Sequence, residues 1–278
     1  MFKTSILFGD GPQTNPAHVA PGYEVSEVPA GILVNPNLTD EEWEDRKREL
    51  QSYKLPPIKI ASHWTEKPST TRNPDWEYLE FWARRTLRRL AELGVECAGV
   101  WGYFFPKVEG YSPTRQLDGA IRYANMLGDI ARQHKITMMM EPMAELNSLW
   151  PTYKEGLKFV RRVDHPNVKI MADMNYFLKL NQPFDDIKED PELCMHCHIA
   201  GDHGQPGVGD MRETHEAFFR VLRDVGYQRA VSCACPWVST QPGDFDFTVE
   251  SAKTLAYVQQ LRSEVYGSAS GIEKAVHV

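Results

Sequence analysis

Residues 193–210 read LCMHCHIAGDHGQPGVGD. An apolar run carrying His196 and His198 leads into a Gly- and Pro-rich loop that holds Asp202, His203 and the turn Pro206-Gly207-Val208-Gly209. On a strand, side chains two apart share a face, so both imidazoles look the same way just before the chain turns over. Paired histidines at a strand end, followed by a loop of little bulk, suit a site. The same stretch alone also fits one buried structural histidine and an ordinary loop, so the rest of the chain decides.

Outward from this stretch the chain alternates between short apolar runs and helical patterns. Strands are expected at 4–8, 23–28, 58–63, 96–101, 136–141, 168–173, 194–199 and 230–235, the last three bracketing the quoted segment. Helices are expected at 39–53, 73–93, 113–134, 152–163, 212–225 and 248–265, with a short one near 185–188. Thr39 reads as an N-cap followed by acids in the first turn. The helix after Asn73 carries Leu79, Trp82, Leu87 and Leu90 at spacings of three to five, an amphipathic face. Gly94 and Gly226 read as helix ends. Eight strands in strict alternation with helices imply a parallel sheet with crossover connections. At 278 residues the chain has the size of one closed (β/α)8 TIM barrel, spanning 1–266. The Gly/Ser-rich residues 267–278 are expected to form a loose tail. A doubly wound open sheet would carry a Gly-rich phosphate loop after the first strand, which this chain lacks.

Composition narrows the function. A net charge of −7 argues against nucleic acid or an anionic membrane surface as partner. The N-terminal apolar run is too short for a signal peptide, and no stretch approaches a membrane span. The five cysteines are odd in number and sit mostly in expected strands, so they read as reduced thiols of a cytoplasmic protein. A zinc cluster of Cys194, Cys197, Cys233 and Cys235 is disfavoured, because regular alternation points Cys194 and Cys197 to opposite faces.

In a barrel of this kind, active sites form at the C-terminal strand ends. Reading those ends in order gives Asp10, Glu27, His63, Trp101, Glu141, Asp173, His198 and Ala234. Glu141 follows three methionines and Asp173 follows Ile170-Met171-Ala172, so both carboxylates are expected to be buried. A buried carboxylate costs several kcal/mol unless it is paired or metal-bound. One imidazole and two carboxylates make a hard-to-borderline donor set with coordination positions left open, suited to Mn²⁺ first, and also to Mg²⁺, Co²⁺ or Zn²⁺. Open positions point to catalysis.

These residues resemble the xylose isomerase-like sugar isomerase/epimerase superfamily, which includes ketose 3-epimerases, hydroxypyruvate isomerases and inosose dehydratases. The resemblance rests on Glu141 in MMMEPM, Asp173 in IMADMNYF, and His198 in HCHIAGDHGQPGVGD, together with the Gly226-Tyr227 opening of the eighth strand. It implies Glu141, Asp173 and His198 as metal ligands, with Glu141 and His198 catalytic. It also implies Glu27, His63, Trp101, Asn147, Tyr176 and His203 as substrate contacts. Two positions depart from the pattern. Ala234 stands where the family carries a fourth-ligand glutamate and second acid/base, and alternation would turn its neighbours Cys233 and Cys235 outward. Tyr176 stands where the family tends to carry a histidine.

The implied chemistry is isomerisation or epimerisation of a keto sugar through an enediolate, impaired by the alanine. Two alternatives share the scaffold. One is a lyase, acting as an inosose dehydratase or as a 3-keto-glycoside or C-glycoside deglycosidase with a small partner subunit. The other is a non-catalytic carbohydrate-binding subunit. A DNA-repair role as in endonuclease IV would need more histidines at the strand ends. The aromatic residues Trp76, Tyr78, Phe81 and Trp82 suggest a homo-oligomer surface.

Overall fold

The eight expected strands form, each hydrogen-bonded in parallel to the next, and the eighth pairs with the first to close the barrel. They are β1 Lys3–Leu7, β2 Val25–Pro29, β3 Ile58–Ser62, β4 Cys97–Trp101, β5 Thr137–Glu141, β6 Val168–Asp173, β7 Cys194–Ile199 and β8 Ala230–Cys233. The computed structural model describes residues 1–9, 11–62, 64, 74–101, 107–144, 148–241 and 243–273, and for 12 and 268–273 the backbone alone. The molecule is a single-domain (β/α)8 TIM barrel. Among the described residues no helix is long and apolar enough to cross a membrane.

Among the described residues seven α-helices accompany the strands: α1 Asp40–Ser52, α2 Trp76–Glu92, α3 Pro113–Gln133, α4 Tyr153–Val163, α5 Met174–Lys179, α6 Arg212–Asp224 and α7 Phe247–Glu273. Local chemistry explains their starts. Thr39 and Glu42 form a capping box on α1, and Thr152 and Glu155 another on α4. Pro113 occupies the first turn of α3, where its missing N–H leaves no hydrogen bond unmade.

Three differences from expectation have local causes. The short helix α5 starts because the Asn175 N–H donates to Asp173 Oδ1 at 2.8 Å, so the carboxylate ending β6 also caps the next helix. Helix α7 continues to Glu273, through part of the segment expected to be loose, since no proline interrupts it. The ladder of β8 stops at Cys233, two residues early.

The fourth difference lies in β7. Ile170 pairs with Cys194 but Met171 pairs with His196, so Met195 is an extra residue and forms a β-bulge. Consequently Cys194 and Cys197 do not point to opposite faces. Both belong to the large apolar core between barrel and helices, with their sulfurs 3.8 Å apart. The bulge leaves His196 and His198 inward. A smaller apolar cluster of Val25, Ile60, Cys97, Met139, Met171 and Ala230, with Met195 packed against it, fills the lower barrel. Gly99 leaves room there: a Cβ on it would sit 3.4 Å from Met171 Sδ.

Candidate metal centre

Above that apolar floor the inward positions turn polar. Alternation along β5, β6 and β7 carries Glu141, Asp173 and His198 to the upper interior, each less than a tenth exposed. His198 Nδ1 lies 3.6 Å from Asp173 Oδ2 and 3.8 Å from Glu141 Oε1. One donor atom from each of the three falls within 4.8 Å of the others. Among the described residues Glu141 Oε2 is buried without a hydrogen-bond partner. A cavity of about 380 Å³ opens here, lined by Leu7, Trp101, Glu141, Asp173, Tyr176, His198, Ala234, Cys235 and Pro236. Among its described lining residues there is no lysine or arginine to balance the carboxylates. An orphaned buried carboxylate oxygen and an oxygen/imidazole donor set fit a divalent cation.

The electrostatics are set by burial. Removal from water pushes the Glu141 carboxyl up to about 8, with the Asp173 and Glu27 charges adding to the rise and His198 opposing it. Burial by itself would lower the His198 imidazole. The Glu27 charge, followed by Asp173 and Glu141, outweighs that and raises it well above its ordinary value.

Trp101 and Tyr176 line the cavity. Ala234 does too; its N–H still donates to the Ile199 carbonyl at 3.1 Å, which continues the β8 direction one residue beyond the ladder. Cys233 lies in the outer core as expected, but Cys235 faces the cavity. Once the ladder ends, strand alternation no longer orients the chain.

Glu27 is placed differently from a rim contact. It is fully buried, and both of its carboxylate oxygens engage imidazoles. His203 also lies apart from the cavity: its side chain is 82% exposed and pairs with Asp202 at 3.1 Å. His63, Asn147 and Asp10 lie outside the described residues. Sequence reasoning missed the joining of Glu27 to both histidines, because β2 and β7 are not neighbours in the barrel order.

The loop after β7 is held tightly. The Gly201 N–H donates to the Gly204 carbonyl at 2.7 Å. The Gln205 amide donates to the Val238 carbonyl and accepts from the Val238 N–H, which ties this loop to the one after β8. His215 on α6 reaches the Ala200 carbonyl at 2.8 Å.

A parallel eightfold barrel thus brings buried acid and imidazole groups together at its C-terminal mouth, a donor set that could hold a cation. The chain belongs to the xylose isomerase-like TIM barrel family, whose profile matches residues 19–256. No curated protein sequence matches it. Similar solved structures include a D-psicose 3-epimerase crystallised with D-fructose, with TM-score 0.75 and 19% identity over 94% of this chain and 99% of that one. Another is the 3-keto-D-glucoside 4-epimerase YcjR from E. coli, with TM-score 0.73 and 19% identity over 94% and 100%. An L-ribulose 3-epimerase aligns with TM-score 0.73 and 14% identity over 98% of both chains. At these identities the likeness is one of fold.

Proposed function

We propose that the chain is a divalent-cation-dependent isomerase or epimerase of a keto sugar. The observation that carries this reading is the convergence of Glu141, Asp173 and His198 donor atoms within 4.8 Å of one another. Their place at the cavity floor and the sugar epimerases among the structural neighbours support it.

Glu141, Asp173 and His198 would hold the cation, Mn²⁺ being the first candidate. When bound, the cation would supply positive charge to adjacent carbonyl and hydroxyl oxygens of the sugar and so acidify the neighbouring C–H. Asp173, fixed by its capping bond to α5, holds its carboxylate toward His198. Glu141 is the base: its unpartnered Oε2 is free to take the proton, giving an enediolate. Returning that proton to the neighbouring carbon, while the hydroxyl proton passes to the former carbonyl oxygen, gives the isomer. Returning it to the opposite face requires a second acid, and Ala234 cannot supply one. Trp101 offers an aromatic face to the sugar ring, and Tyr176 a hydroxyl.

The test is proton exchange. The Mn²⁺-loaded protein is incubated in D₂O with D-fructose, D-psicose, D-tagatose and 3-keto-glucosides. Deuterium appearing next to the carbonyl supports the reading; its absence across the panel, with Mn²⁺ bound, rejects it. Ala234 and Tyr176 favour a second reading, a non-catalytic carbohydrate-binding subunit, and a lyase on the same scaffold is the other alternative. Loss of water or an aglycone by mass spectrometry would select the lyase, and sugar binding without exchange would select the binding subunit. Phe81 and Tyr78, 51% and 40% exposed on α2, fit the homo-oligomer surface we propose, whereas Trp82 is buried against Trp64 and takes no part in it.

A further inference from the structure

We propose that Glu27 is the positioning residue for His198, fixing which ring nitrogen of that imidazole faces the cavity. This rests on the reading of Glu141, Asp173 and His198 as a cation site, and adds a residue from the other side of the barrel.

For neutral rings hydrogen-bonded to Glu27, the geometry leaves one arrangement. His198 Nε2 lies 3.0 Å from Glu27 Oε1 and 3.2 Å from Oε2, while His196 Nε2 lies 2.9 Å from Oε2. A carboxylate has acceptors and no proton to give, so each ring must present an N–H at Nε2. The neutral His198 ring then carries its lone pair on Nδ1, the atom 3.6 Å from Asp173 Oδ2 and 3.8 Å from Glu141 Oε1. The other tautomer would turn a lone pair against the carboxylate and an N–H toward the cation position. His196 has a part in this as well. By holding Oε2 from below, it stops the carboxylate from rotating away from His198. The two rings stand nearly perpendicular, at 89° with centroids 5.0 Å apart, so each meets the carboxylate from its own direction. Among the described residues Glu27 forms no ion pair with lysine or arginine, and these two rings are its only ion-pair partners. Its burial is therefore explained by what it does to the histidines.

The experiment reads the tautomer directly. In ¹⁵N NMR of the cation-free wild-type protein, at a pH high enough to leave the His198 ring neutral, that ring is expected to be protonated at Nε2 and bare at Nδ1. Glu27→Met keeps the side-chain volume and removes the acceptor. It is expected to lose that preference and to bind Mn²⁺ 10- to 100-fold more weakly by calorimetry, the range typical of partners that orient a metal-bound histidine. Glu27→Gln, whose amide oxygen can serve as acceptor while its nitrogen cannot, is expected to fall between wild type and Glu27→Met. A neutral His198 protonated at Nδ1 in the wild type overturns the proposal. So does a folded Glu27→Met that binds Mn²⁺ as tightly as wild type. If Glu27→Met does not fold, the wild-type spectrum and Glu27→Gln decide. If the wild type binds no cation, the proposed function fails while the spectrum still decides the role of Glu27.

Discussion

Ala234 is the residue on which the proposed chemistry turns. It lines the cavity beside His198 and Asp173, so a longer side chain there would enter the site. Ala234→Glu is expected to raise Mn²⁺ affinity by roughly tenfold or more, since each added charged ligand strengthens an oxygen-rich site; isothermal calorimetry of the two proteins checks it. A weaker or unchanged affinity would mean the side chain does not reach the cation. The buried acid and imidazole also set a pH dependence. Glu141 is raised to about 8 from an ordinary carboxyl near 4.5, so the metal-free fold keeps a proton that the unfolded chain has shed. The unfolded chain binds fewer protons in that window, so the stability of the metal-free protein falls as pH rises through it. His198, also raised, acts in the same direction: its contribution is present below its ordinary value and fades as pH climbs through the higher folded one. Cation binding displaces these protons, so its affinity should increase with pH. Melting curves from about pH 5 to 8, with and without Mn²⁺, should diverge toward the alkaline end.

At the scale of single elements, the loop after β7 and the bulge within that strand make opposite demands. A Cβ on Gly201 would lie 2.4 Å from the Gln205 carbonyl oxygen and 2.7 Å from that of Val208. Backbone atoms cannot step aside as a flexible side chain can, so Gly201→Ala is expected to destabilise by about 2 kcal/mol or more; urea unfolding monitored by fluorescence would show it. The thiols offer a second check. Cys97, Cys194, Cys197 and Cys233 are buried and Cys235 is partly exposed, so Cys235 should react first with a thiol reagent in the native protein. The element pattern was legible in the sequence because strands two residues in period and helices near 3.6 leave different traces. Glu141 and Asp173 could be read as inward because each ends its strand, and His198 because the alternation is regular again beyond the bulge. Cys194 and Cys197 could not, because one inserted residue, Met195, reverses the alternation and no local composition announces it. Cys235 escaped for the complementary reason, the early end of β8. Helix α5 was hidden in a signal already assigned elsewhere, since Asp173 serves as both strand-end carboxylate and cap.

For the whole molecule, closure joins the two ends of the chain. β1 pairs with β8, the Ser232 hydroxyl donates to Ser5 Oγ at 2.8 Å, and Arg262 on α7 reaches the Phe2 carbonyl at 2.6 Å. A chain cut before β8 therefore cannot complete its barrel, and truncation at residue 228 is expected to abolish cooperative unfolding, as calorimetry would reveal. The carboxylate of Glu27 adds a matter of timing. Its partner His198 lies 171 positions later. At ribosomal rates of 5–20 residues per second, Glu27 waits roughly 10–30 s for the imidazole that makes its burial tolerable. Burying Glu27 before His198 has emerged would leave a carboxylate without its partner, so the interior around it is expected to close only after β7 has been made.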